Sequence, residues 1–412
     1  MASQSENFAL IRVVGVGGAG SNAVNRMIRA ELLGVEFIAV NTDAQALVKS
    51  HAPTRIRIGD AISRGLGAGG DSVVGERAAQ EDLENLRNAL DGSDLVFVTA
   101  GMGGGTGSGA APVVAKVAKD LGALTIGIIT KPFVFEGKRR AAVANAAAEE
   151  LRKYVDTMIV IPNERLLNVV SRQTSMEDSF RIADDVLRQA VQGVSDVITV
   201  PGIINLDFAD VRSIMKDAGS ALMGIGRASG EHRARAAAEL AIASPLLELD
   251  IEGATGVLVN VAASSTVTLH EVNEAINHIT ERADPEANII FGTSLDETLA
   301  DEVQITVIAT GFAGSARSQS GSAASLRTEF PFGRDDGSVN WSASVPSAGA
   351  SATPAAPYAT PAQAAPAPSW TPSTHPAVSQ EPTAAQLEGD GISPAQVAGD
   401  ELEIPAFLRR RS

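Results

Sequence analysis

Cysteine is missing from this 412-residue chain. Its absence excludes disulfides, thiol nucleophiles and cysteine-held metals together. Histidine is scarce too, with five scattered copies, which argues against a structural zinc site. Positive charge is in short supply: 33 Lys and Arg face 49 Asp and Glu, and the formal net charge of -16 disfavours a broad nucleic-acid-binding face. No apolar run approaches the roughly 20 residues of a membrane span. The polar start MASQSENFAL has no apolar leader core, so the expectation is a soluble cytoplasmic protein with no direct membrane insertion. No stretch fits G-x-x-x-x-G-K-[ST], so any phosphate site must rely on backbone groups and helix ends instead of a P-loop lysine.

What the chain does have is length for two or three domains, and glycine in clusters. Its composition changes near residue 314, and 12 of the 19 prolines lie beyond residue 330. Residues 314–398 read as a disordered linker rich in Ala, Pro, Ser and Thr. The last stretch, 399–412, changes again. Leu402, Ile404, Phe407 and Leu408 stand with Pro405 between an acidic and a basic end, the pattern of a short peptide that docks in a partner's groove.

Between residues 10 and 200 the strand candidates are Leu10–Val14, Val35–Asn41, Arg55–Ile58, Leu95–Thr99, Leu124–Thr130 and Thr157–Ile161. Most are unbroken apolar runs separated by helical segments, as in parallel strands buried on both faces. The implied fold class is α/β, a doubly wound and mostly parallel sheet that binds ligands at the carboxyl ends of its strands. Three glycine-rich stretches fall at such ends: Gly15–Gly20, Gly65–Asp71 and Ala100–Gly109, the last with six glycines in ten residues. Each reads as a strand-to-helix loop whose N–H groups can converge on phosphates. The first alone fits G-x-G-x-x-G with Asp43 downstream, a dinucleotide fingerprint that keeps a nicotinamide or flavin enzyme as the alternative. Three such loops on one edge favour a nucleoside triphosphate.

The stretches GGGTGSG (103–109), VGVGGAGSNAVNRMI (14–28), NTDAQAL (41–47), GLGAGGD (65–71), KPFVFEGKRR (131–140), IPNERLL (161–167) and NLDFADV (205–211) together resemble the tubulin superfamily of GTPases, and within it the bacterial cell-division branch. The resemblance runs from about residue 10 to 313 and resumes at the terminal peptide. It implies a GTP-binding domain (10–175), a central helix (176–199), a smaller α+β activation domain (200–313), and a partner-binding tail (399–412) behind the linker, with 1–9 a flexible start. It also implies that GTP, or GDP, and Mg²⁺ held through the phosphates are the cofactors, with no metal site of protein side chains. Gly18, Ala19, Gly20, Ser21, Asn22 and Asn41 would contact the nucleotide, and Gly103, Gly104, Gly105, Thr106 and Gly107 would hold its phosphates. Ala68, Gly69 and Gly70 would lie by the γ-phosphate, Glu136 and Arg140 by ribose and phosphate, and Asn163, Phe180 and Asp184 by the base. A carboxylate suits guanine, whose N1–H and amino group are both donors.

Two positions depart from the family's usual GGGGNN: Ala19, which then needs a negative φ, and Ser21, whose hydroxyl can still cap a helix. None of the glycine loops offers a group to orient an attacking water. The resemblance assigns that task to Asn205, Asp207 and Asp210, in a loop that reaches the nucleotide of the next subunit in a head-to-tail homopolymer. On residue type alone, the two aspartates read as first-turn helix caps. The family's role would be a septal filament concentrated at mid-cell. Its tail would recruit the membrane-tethering and regulatory proteins of division. A nucleotide-binding scaffold that polymerises without hydrolysis is the third reading.

Overall fold

The apolar runs are buried strands in the computed structural model, which describes residues 9–167, 173–244, 251 and 253–312. The linker and the tail residues Leu402, Ile404, Pro405, Phe407 and Leu408 lie outside the described residues, as do residues 1–8. Described residues all belong to one compact unit.

The chain begins with alternating strand and helix: β1 (Ile11–Val16), α1 (Gly17–Arg29), β2 (Val35–Asn41), α2 (Ala44–Val48), β3 (Thr54–Arg57), α3 (Asp60–Ser63), α4 (Ser72–Glu81), α5 (Leu83–Leu90) and β4 (Leu95–Gly101). It continues through α6 (Gly105–Asp120), β5 (Leu124–Lys131), α7 (Lys138–Arg152), β6 (Thr157–Pro162), α8 (Asn163–Leu166), α9 (Met176–Thr199) and α10 (Phe208–Met215). The remainder is β7 (Gly219–Ser229), α11 (Arg233–Ile242), β8 (Gly256–Ala263), α12 (Leu269–Thr280), β9 (Asn288–Leu295) and β10 (Glu302–Thr310).

These strands form one sheet in the order β3-β2-β1-β4-β5-β6-β7-β10-β8-β9. The first six are mutually parallel. β7 extends them in parallel beside β6 and turns the sheet, pairing antiparallel with β10. Period-two alternation explains why the central strands look uniformly apolar: in β4, Leu95 and Phe97 enter one core and Val96 and Val98 the other. The first core lies toward α1 and α9, the second toward α4 to α7.

The long helix α9 follows from local chemistry. Ser175 accepts a hydrogen bond from the Asp178 N–H at its start, Glu177 and Asp178 favour the positive helix end, and Ala183, Val186, Leu187, Ala190, Val191 and Val194 form the buried stripe. Among the described residues no helix is long and apolar enough to cross a membrane.

Three local expectations need correction, and two elements had none. The stretch 100–109 is only briefly a loop: α6 begins at Gly105, so Gly105, Thr106 and Gly107 form its first turn and Pro112 sits well inside it. α1 likewise begins at Gly17, leaving Ser21 inside a helix where it caps nothing. The one-turn α3 separates β3 from Gly65–Asp71. Finally, β7 and α11 carry no signal of their own. A Cβ on Gly226 would stand 1.9 Å from the Ala237 oxygen, so this strand needs glycine to let α11 lie against it, and the apolar residues that α11 buries are all alanine.

Candidate functional site

The chain leaves β1 for β2 on one side and returns to β4 on the other, so the strand order reverses between β1 and β4. That switch point is where an open α/β sheet leaves a crevice at the carboxyl ends of its strands. α1 and α6 both start there. Neither has a side-chain cap, at Val16 or at Gly104, so their first-turn N–H groups and positive ends are available to an anion.

Glycines around the crevice divide into two kinds. A Cβ built on Gly18 or Gly104 meets no atom within 4 Å, and the same holds for Gly69 and Gly70, whose φ angles are +58° and +80°. Gly18 and Gly104 have no protein neighbour that forbids a side chain, which leaves close approach of a ligand as the reason for glycine there. By contrast, a Cβ on Gly20 would stand 2.4 Å from the Thr99 oxygen, on Gly107 2.6 Å from the Gly101 oxygen, on Gly103 2.9 Å from the Arg140 oxygen and on Gly105 2.8 Å from Ala68 Cβ. These four serve packing. Further along α6, a Cβ on Gly109 would approach the Ser72 oxygen to 2.0 Å, so part of the glycine richness exists to bring α4 against α6. Ala19 keeps a negative φ and sets its methyl against Gly101.

Beyond the crevice, Asn22, Asn25, Arg26, Arg29, Phe180 and Asp184 line a cleft of about 240 Å³ between α1 and α9. Phe180 is held edge-on by Phe133, ring centroids 5.4 Å apart. Asp184 is not the solvated residue that helix position alone suggests: its carboxylate stands 3.4 Å from Arg26, and burial pushes its pKa up to about 6 while Arg26 opposes the shift. Glu136 bridges the Phe133 N–H at 2.9 Å and Arg140 at 2.8 Å, which fixes both charged side chains at the start of α7. Asn41 is buried at the end of β2 and accepts from the Asp43 N–H at 3.2 Å. Among the described residues, the buried Ser21 Oγ, Thr99 Oγ1 and Asn163 Oδ1 of this region have no hydrogen-bond partner. Buried polar atoms are ordinarily paired, so a polar ligand fits this site.

The expectation that Asp184 receives a guanine base carries a pH signature. Only the ionised carboxylate accepts from both guanine donors. With a pKa of about 6, the ionised fraction falls as pH drops through that value, so guanine nucleotide affinity should decrease about tenfold per unit at lower pH. Titration of GDP binding from pH 5 to 8 checks this, with Asp184→Asn as the control that removes the protein's share of the dependence. Identical profiles for the two chains would contradict it.

The acidic loop lies elsewhere. Asp207 caps α10, its Oδ1 accepting from the Asp210 N–H at 2.8 Å, which is the ordinary structural use of such a residue. Asn205 accepts from the Gly202 N–H at 2.6 Å. Ile204 exchanges hydrogen bonds with Thr293 of β9 at 2.8 and 2.9 Å, so the loop is pinned to the sheet. Asp210 has no side-chain partner among the described residues. Phe180 and Asp184 precede Thr199, the last residue of α9, by about 28 and 22 Å along the axis at about 1.5 Å per residue, and the acidic loop follows that end. The structure therefore keeps Asn205, Asp207 and Asp210 apart from the crevice residues of the same chain.

Residues 10–171 match the GTPase domain of the Tubulin/FtsZ family, and residues 219–313 match the C-terminal domain of the FtsZ family. An FtsZ dimer from M. jannaschii, described as empty, is 45% identical, with 74% of this chain and 89% of that one covered and a TM-score of 0.72. The chain belongs to the Tubulin/FtsZ family. A mutant of M. jannaschii FtsZ is equally similar, at 45% identity, 74% and 92% coverage and a TM-score of 0.72. The GDP-bound CetZ1 monomer from Haloferax volcanii, 22% identical over 75% of this chain and 96% of its own, shares the fold with a TM-score of 0.65. The FtsZ-family match gives the chain a GTPase domain and a guanine nucleotide as its ligand. The two matched segments leave 172–218 between them, and that interval holds α9 and the acidic loop.

Proposed function

We propose that this chain is a GTP-hydrolysing filament subunit of the cell-division ring, whose active site is completed between subunits. The observation that carries the reading is the separation along α9: a phosphate-binding crevice at one end and a pinned acidic loop at the other cannot meet within one chain. A head-to-tail contact joins them, and because such a contact does not close on itself it propagates a filament. Gly18, Gly104 and the first turns of α1 and α6 would receive the phosphates, with Mg²⁺ held through them. Gly69 and Gly70 would adjoin the γ-phosphate. Glu136 and Arg140 would hold ribose and phosphate, and Asn163, Phe180 and Asp184 the base. Asn205, Asp207 and Asp210 of the neighbour would orient water, with turnover limited to assembled subunits. On this reading residues 10–175 bind nucleotide, 176–199 join the halves, and 200–313 supply the acidic face. The tail 399–412, on its linker, takes up membrane-tethering and regulatory partners at mid-cell in the cytoplasm.

The GTPase-domain match displaces the dinucleotide reading of the first glycine loop. Nucleotide released from gently purified protein checks this: guanine nucleotide is expected, together with GTP-dependent sedimentation. A nicotinamide or flavin nucleotide, or sedimentation indifferent to GTP, would contradict the proposal.

A further inference from the structure

Thr42 received no role from its sequence, yet it is 0% exposed and lies between the two phosphate-facing segments. Its hydroxyl is 2.7 Å from the Thr106 hydroxyl in the first turn of α6. On the other side, its carbonyl oxygen accepts from the Gly67 N–H at 3.3 Å and from Ser63 Oγ at 3.2 Å. Adjacent contacts bind the same two stretches: Asp43 bridges Leu66, and the Ala44 N–H donates to the Gly65 oxygen at 3.0 Å. The segment 65–71 also abuts α6 directly, since a Cβ on Gly105 would meet Ala68 Cβ at 2.8 Å and the Asp71 nitrogen at 2.9 Å.

A fully buried hydroxyl is costly unless its hydrogen bond is made, and Thr106 Oγ1 is its one described side-chain partner. Each threonine has a single O–H donor. If Thr106 turns its hydrogen toward a phosphate oxygen, Thr42 must donate to Thr106, and the two bonds reinforce one another in a chain. A valine of the same shape would keep the packing and the carbonyl contacts but break that chain.

We propose that Thr42 is a positioning residue that couples the phosphate-holding first turn of α6 to the segment 65–71, so that the site distinguishes a triphosphate from a diphosphate. The proposal rests on the guanine-nucleotide reading above. The hydroxyl holds Thr106 and the carbonyl holds Gly67, so displacement of either phosphate-facing segment is felt by the other through one residue.

The test uses the full chain at concentrations below assembly, measuring the affinities of GDP and of a non-hydrolysable GTP analogue by competition with a fluorescent nucleotide. For Thr42→Val, the analogue's affinity should fall about tenfold, the size of one lost hydrogen bond, with GDP affinity changed by less than about twofold. Thr42→Ser, which restores the hydroxyl, should recover the difference, and melting temperatures should stay within a few degrees. Equal losses for both nucleotides would reduce Thr42 to a local brace for Thr106 and overturn the coupling, as would no loss at all. A wild-type chain that bound neither nucleotide would overturn the underlying reading.

Discussion

Asp210→Ala is expected to bind GTP as the wild-type chain does and to hydrolyse it at least about a hundredfold more slowly, the scale of removing a group that acts on the transition state. Among the described residues the carboxylate has no side-chain partner to lose, and it follows the far end of α9 from the crevice, so the substitution leaves the chain's own nucleotide site untouched. Asp207→Ala differs. It removes the cap on α10 and should cost about 1 kcal/mol of stability in addition to turnover. Binding, turnover and thermal unfolding of the two variants separate the roles. Normal turnover by Asp210→Ala at high protein concentration would end its assignment.

The second large effect concerns two glycines five residues apart. Gly104 has φ -90° and ψ 178°, extended backbone that valine adopts readily, and its Cβ would enter open space. Gly104→Val should keep its melting temperature and lose nucleotide affinity by about a hundredfold or more, because on the proposed reading the side chain would occupy the place of a phosphate. Gly109→Val should behave in the opposite sense. Its side chain would drive against the Ser72 oxygen and the Glu76 nitrogen, forcing α4 from α6 at a cost of about 3 kcal/mol or more. Thermal unfolding and nucleotide titration of both variants decide the matter. A Gly104→Val chain that bound nucleotide normally would mean that the open glycines have some other purpose.

That contrast also marks how far the sequence could be read. Parallel strands buried on both faces announce themselves as apolar runs, which is why β1, β2, β4, β5 and β6 were legible and why the crevice at their carboxyl ends followed; β3, at the sheet edge, is polar and exposed. The same residue type misled at α6. Glycine that borders open space and glycine that admits a neighbouring helix look alike in a sequence, and only the Cβ environment distinguishes Gly104 from Gly109. β7 and α11 were illegible for a related reason, since their close approach at Gly226 leaves glycine in the strand and an alanine stripe on the helix where a large apolar stripe would mark the pattern. Asp184 and Asp207 show the limit in single residues. Helix position alone gives no sign that Asp184 is held by Arg26, while Asp207 does cap a helix, as the simpler reading of acidic first turns has it. Thr42 was invisible because a buried threonine declares its partner only in three dimensions.

The central claim is that the active site exists only between subunits, and the most direct test is phosphate release from GTP with Mg²⁺ across a range of protein concentrations. The account predicts specific activity near zero in dilute solution and a rise above a threshold that coincides with filament formation. Specific activity that is constant down to the most dilute sample would mean that each chain hydrolyses GTP alone, and would contradict the shared site.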